Sequence, residues 1–154
     1  MKVWIIGTWY VWLTHWTCLA ELWNDVICVD IDNEKIKKLE QWIIPIYEPK
    51  LSNLVLRNFR EERLFFTMDI KSAIEESEII FIAVGTPAWV DGHADMQYIK
   101  SVAESIGKFI NDYKIVITKS TVPVWTGDTI QEIINNKLKE RWISLSFDIV
   151  SNPE

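Results

Sequence analysis

The chain is short of glycine, holds only two cysteines, carries no excess of positive charge, and shows no repeats or low-complexity tracts. Each shortage excludes something. Cys18 and Cys28 are too few for a disulfide scaffold or a thiolate metal centre, so both read as small buried hydrophobes and no metal site is expected. With 16 Lys and Arg against 22 Asp and Glu, the net charge is −6. That balance argues against a nucleic-acid partner, which would need a basic footprint. The stretch from Val3 to Trp23 is long and apolar, but Thr8, Thr14, His15, Thr17 and Glu21 interrupt it and no small-residue cleavage site follows. Neither a signal peptide nor a membrane contact is expected, and a soluble cytoplasmic domain is. At 154 residues the chain is one domain's worth, with room for a real core.

The glycine shortage is specific. Five glycines stand where a chain of this length would average roughly eleven. Nine tryptophans accompany them, and several occupy places where glycine is the default. Trp23, Trp42 and Trp142 each close a helical stretch, at the position where a left-handed residue normally ends it. Trp89 and Trp125 sit in loops beside Asp91-Gly92 and Thr126-Gly127. Tryptophan is a poor choice wherever φ must be positive. Glycine-to-tryptophan replacement throughout a natural domain is the simplest reading of all nine.

Strand-like and helix-like segments alternate along the whole chain. Strands are expected at 2–6, 26–30, 64–68, 78–84, 114–119 and 147–151, and helices at 10–22, 34–41, 51–62, 70–76, 96–111 and 127–141. Val11, Leu19 and Leu22 are core candidates of the first helix, Asn33 reads as the N-cap of the second, and Asp69 as that of the fourth. Strands joined by helices require crossovers, hence a parallel sheet covered on both faces. The expected fold is α/β, a doubly wound Rossmann-like sheet of six strands in the order 3-2-1-4-5-6. The chain stops at Asn152-Pro153-Glu154 straight after a strand, and a continuation beyond it is expected.

Residues 7 to 12 read Gly7-Thr8-Trp9-Tyr10-Val11-Trp12, between the first strand and the first helix, and Asp30 ends the second strand. With glycine at 9 and 12 this would be the G-x-G-x-x-G dinucleotide fingerprint with its acid at the usual distance. In that motif the first glycine makes the tight turn, the second admits the pyrophosphate, and the third lets helix and strand pack closely. Trp9 would place an indole where the pyrophosphate belongs, and Trp12 would push the helix off the sheet. Asp30 can still accept from an adenosine ribose, flanked by Lys35.

Further stretches carry a resemblance. Cys18-Leu19-Ala20-Glu21-Leu22, Val29-Asp30-Ile31-Asp32, Pro45-Ile46-Tyr47-Glu48-Pro49 and Ala83-Val84-Gly85-Thr86-Pro87 join the fingerprint. Lys119-Ser120-Thr121-Val122-Pro123-Val124 and Ser151-Asn152-Pro153-Glu154 complete the set. Across its full length the chain resembles the N-terminal NAD-binding domain of the UDP-glucose/GDP-mannose dehydrogenase family. That resemblance implies NAD as cofactor and a UDP-sugar as substrate. It implies two-step oxidation of the sugar C6 alcohol (UDP-glucose to UDP-glucuronate) through a cysteine thioester. By the same match, Asp30 and Lys35 bind ribose, and Tyr10 and Val11 supply backbone donors to the pyrophosphate beside Gly7. Thr86 and Thr121 contact the cofactor, and Thr121 and Glu154 position the catalytic water. The family's nucleophilic cysteine, sugar-binding residues and dimerising helix would lie beyond residue 154. His15 and His93 match no catalytic position and read as surface residues.

With two of the three fingerprint glycines gone, the chain is expected to be weakly stable, inactive alone, and without bound NAD. Two other readings compete. In one, the loop rearranges around Trp9 and weak NAD affinity survives. In the other, Trp9, Trp12 and Trp16 form an exposed aromatic platform for a partner.

Overall fold

The computed structural model describes residues 1–7, 10–41, 43–44, 48–87 and 94–153, the side chains of residues 10–12 excepted. The strands are β1 (Lys2–Ile6), β2 (Asp25–Val29), β3 (Leu64–Thr67), β4 (Ile79–Ile82), β5 (Lys114–Thr118) and β6 (Phe147–Ser151). The helices are α1 (Tyr10–Glu21), α2 (Asn33–Glu40), α3 (Leu51–Arg60), α4 (Ile70–Glu76), α5 (Gln97–Phe109) and α6 (Thr126–Glu140). All strand pairs are parallel, and the sheet order is β3-β2-β1-β4-β5-β6, as the alternation of elements predicts. Every observed element falls within a residue or two of its expected place, which is the usual fraying of element ends.

The sheet is covered on both faces because its strands alternate. Val3 and Ile5 of β1 join Leu13, Trp16 and Ala20 of α1 in one core cluster, with Ile36, Leu39, Val55 and Phe66. Ile6, Ile80, Ile82 and Val116 form a second with Ile74, Ile99, Ile106, Ile130 and Ile134. Trp4 packs with Val29 and Ala73 in a third. Register fixes which side chains meet, since a slip of one residue would exchange the two faces.

Several local expectations change. Asp32, not Asn33, caps α2, because its carboxylate accepts from the Glu34 and Lys35 amides. Asp69 caps α4 as expected, taking the Lys71 and Ser72 amides. Leu22 is exposed just past the end of α1, so it is no core residue, whereas Leu19 packs on the first cluster. Cys18 is exposed and only Cys28 is a buried hydrophobe. The helical period explains this: Thr17 and Ala20 take the inward positions beside Cys18.

The tryptophans divide by environment. Trp23 and Trp142 follow α1 and α6 with φ of 64° and 57°, the left-handed closing position. Trp125 has an ordinary φ of −85° before α6. Trp4 lies inside β1, and Trp12 and Trp16 lie in α1. Trp16 is fully buried, its ring 5.1 Å from that of Phe81, so it cannot belong to an exposed aromatic platform. Trp9, Trp42, Trp89 and the Trp12 side chain fall outside the described residues. Left-handed backbone is not confined to tryptophan, for Lys50 and Glu62 share it. Gly107 is needed for packing: a Cβ there would lie 2.6 Å from Lys137 Cβ, at the α5–α6 contact.

Candidate functional site

A cleft of about 680 Å³ opens beyond the carboxyl ends of β1, β2, β4 and β5, lined by Gly7, Asp30, Ile31, Lys35, Thr86, Ser120 and Thr121, among others. Strand order reverses between β1 and β4, and open α/β sheets place their ligands at that switch point. The floor is built by close backbone approach. Gly7 donates its amide to the Val29 carbonyl at 2.8 Å and turns the chain with a φ of 102°. A Cβ at this position would sit 2.5 Å from the Ala83 oxygen and 2.9 Å from the Val84 nitrogen. Only glycine satisfies both the dihedral and the space.

On the β2 side, Asp30 is largely buried and anchored at both oxygens. Oδ1 accepts from the Asp32 amide at 3.0 Å, and Oδ2 pairs with Lys35 Nζ at 2.7 Å. The Asp32 cap starts α2 beside it, which is why a lysine in the first turn can reach back to the acid. Two carboxylates two residues apart thus do different work, one closing a helix end and the other facing the cleft.

On the β4–β5 side, hydroxyls tie two loops together. Thr86 Oγ1 donates to the Thr121 carbonyl at 2.9 Å, and Ser120 Oγ to the Val84 carbonyl at 2.6 Å. Lys119 and Ser120 both donate their amides to the Ile82 carbonyl, which ends the β4–β5 ladder. Lys119 Nζ reaches Asn152 Oδ1 at 3.2 Å, joining this wall to the end of β6.

Of the residues expected at the site, Gly7, Asp30, Lys35, Thr86 and Thr121 come together around one cleft. Tyr10 and Val11 begin α1 directly after the turn, but their side chains lie outside the described residues, as does Glu154. Ser120, Ile31 and Tyr98 also line the cleft and were not anticipated. Ser120 carried a signal, its place between Lys119 and Thr121. Tyr98 carried none, because it reads as an ordinary residue of an amphipathic helix. Neither cysteine lines the cleft: Cys18 faces outward from α1, and burial together with the nearby Asp30 charge pushes the Cys28 thiol pKa well up. Among the described residues no cluster of His, Cys, Asp and Glu could hold a metal ion. None of the described helices is long and apolar enough to cross a membrane.

The geometry agrees with what the chain matches. The family described as "UDP-glucose/GDP-mannose dehydrogenase family, NAD binding domain" matches residues 1–154. The UDP-glucose 6-dehydrogenase TuaD of Bacillus subtilis is 52% identical over 153 residues, 99% of this chain and 32% of that protein. The UDP-glucose 6-dehydrogenase of Rhizobium meliloti is 44% identical over all of this chain and 35% of its own length. A ternary complex of GDP-mannose dehydrogenase from Pseudomonas aeruginosa superposes with a TM-score of 0.91 at 32% identity, covering 100% of this chain and 36% of that one. The chain therefore spans about a third of the length of these relatives. It belongs to the UDP-glucose/GDP-mannose dehydrogenase family, over that family's NAD-binding domain.

Proposed function

We propose that the cleft is the NAD site of a nucleotide-sugar 6-dehydrogenase acting on UDP-glucose, and that Trp9 and Trp12, standing for fingerprint glycines, close it to the pyrophosphate. The observation that carries this reading is Gly7, whose left-handed turn packs a bare Cα against the Ala83–Val84 backbone at the switch point. That tight turn starts the loop that would cradle a pyrophosphate at the N-terminus of α1, where unpaired amides favour anions.

NAD, when bound, accepts the hydride. Asp30 holds the adenosine ribose, oriented by Lys35 and the Asp32 amide. The Tyr10 and Val11 amides serve the pyrophosphate. Thr86 and Thr121, clasped to each other, fix the wall toward the nicotinamide end, and Thr121 and Glu154 position the catalytic water. A thioester needs a reactive thiolate at the cleft, and neither Cys18 nor Cys28 is placed for that. These 154 residues therefore carry the cofactor half of the chemistry, and by themselves no turnover. Work in the cytoplasm and assembly as a homodimer through sequence outside these residues belong to the same reading.

The test is calorimetric titration of NADH into the chain carrying Trp9→Gly and Trp12→Gly, with and without Asp30→Ala. The double variant is expected to bind in the micromolar range, and loss of a charged hydrogen-bond acceptor should weaken that by about tenfold or more. Equal affinity with and without Asp30 would overturn the assignment.

A further inference from the structure

Strand register sets two rows of side chains across one face of the sheet. One row is Val3, Ile79, Ile115 and Asp148, and the other is Ile5, Phe81, Ile117 and Val150. Burial falls along both rows as the helical cover runs out. Val3 and Ile5 are buried beside α1, whose Trp16 ring also meets Phe81. Ile79, Phe81, Ile115 and Ile117 are half-buried, and Val150 is 41% exposed. The other face of the same strands is closed, with Ile80, Ile82 and Val116 fully buried among side chains of α4, α5 and α6. Parallel sheets are almost always covered on both faces. Here α1, α2 and α3 share the core of β1, β2 and β3, and among the described residues no helix lies over β5 and β6 on their side.

We propose that this open strip is a self-association surface, on which a second copy of the chain seats its own Ile115, Ile117 and Val150 about a two-fold axis. The centre of the strip is β-branched, so its side chains stand off the pleat as stiff ridges. Two such faces pack as layers about 10 Å apart. An apolar centre with polar groups at its ends is the anatomy of an interface. Asp148 is the one charged residue in either row, at the amino-terminal end, where its carboxylate accepts from the Tyr113 hydroxyl. Lys119, held to Asn152 Oδ1, follows β5 at the carboxyl end. An axis across the strands turns each Asp148 toward the Lys119 end of the other copy, whereas an axis along the strands sets the two Asp148 carboxylates together. Charge selects the first. A strip three strands wide and about five residues long covers on the order of 250 Å² per copy, against about 800 Å² in a stable interface. The pairing is therefore weak, with a Kd on the order of 100 μM, and separate from any dimer formed through sequence outside these residues.

Sedimentation equilibrium of the unaltered chain, from about 10 μM to about 1 mM, is expected to show a monomer–dimer equilibrium. Val150→Lys, at an exposed position of the edge strand, should leave monomer alone over that range. Val150→Thr keeps the shape of the side chain and should weaken pairing several-fold. Leu22→Lys removes an apolar side chain that is 71% exposed but lies outside the strip, and it should pair as the parent does. Asp148→Lys should weaken pairing several-fold by setting like charges together. Circular dichroism shows that each variant keeps the parent fold. A chain monomeric throughout, pairing untouched by both Val150 variants, equal loss in Leu22→Lys, or growth beyond two copies would each overturn the proposal. Tighter pairing by Asp148→Lys would overturn the axis across the strands.

Discussion

Replacing Trp142 by glycine should stabilise the domain. Trp142 follows α6 at a φ of 57° with 96% of its surface exposed, so its indole contributes almost no burial. Its amide donates to the Lys139 carbonyl at 3.0 Å, a bond that any non-proline residue makes equally well. What distinguishes glycine is the missing Cβ, worth about 1–2 kcal/mol in left-handed backbone. Glycine's greater freedom in the unfolded chain takes back about 0.4–1 kcal/mol. The net gain is on the order of 1 kcal/mol, which raises Tm by about 2–4 °C in a domain of this size. Trp142→Ala removes the same indole but keeps the Cβ, so it should melt near the parent temperature. Thermal melts followed by circular dichroism compare the three directly. If Trp142→Gly melts no higher than Trp142→Ala, the backbone argument is wrong. Trp23→Gly should gain less, because the Arg63 guanidinium lies 4.7 Å from the Trp23 ring and such an exposed contact is worth about 0.5–1 kcal/mol.

Other substitutions separate space from conformation. Gly7→Ala combines a forbidden φ with a Cβ 2.5 Å from a backbone oxygen, and urea denaturation should show a loss of about 3 kcal/mol or more. Gly85→Ala meets nothing within 4 Å and should stay within about 0.5 kcal/mol of the parent. Trp4 buries an indole Nε1–H that finds no acceptor among the described residues, so Trp4→Phe should be neutral or stabilising by about 1 kcal/mol despite removing core volume; a loss above that would show the indole to be well accommodated. Iodoacetamide should label exposed Cys18 in the folded protein and Cys28 only on unfolding, read by mass spectrometry of peptides. Because burial raises the Cys28 thiol pKa in the folded state, its neutral form is favoured there. Its contribution is complete below the ordinary thiol value of about 8.5 and declines as pH rises above it.

Much of this was legible in the sequence, and the failures have physical causes. Alternation of strand and helix patterns pointed to a parallel sheet, and the doubly wound dinucleotide fold supplied the order that the structure shows. Asp30 was visible as the acid that follows the second strand, with Lys35 placed to flank it, while Thr86 and Thr121 were legible through the family resemblance; all four line one cleft. Leu22 and Cys18 were misread because apolar character was taken for burial, whereas α1 turns Cys18 outward and Leu22 lies just past the helix end. Asp32 was passed over as a cap because Asn33 follows it and is equally suited by residue type. Tyr98 and Ile31 were invisible since their role depends on a cleft whose walls come from distant segments. The tryptophans at helix ends were legible at Trp23 and Trp142, where φ is left-handed. At Trp4 and Trp16 no such dihedral exists, and crowding inside the core is the argument that remains.

The decisive measurement is titration of NADH into the unaltered chain and into the Trp9→Gly, Trp12→Gly variant, following energy transfer from the remaining tryptophans to the nicotinamide. Saturable transfer at micromolar NADH is expected for the variant and none for the unaltered chain. Equal saturation of both would show that Trp9 and Trp12 leave the pyrophosphate site open.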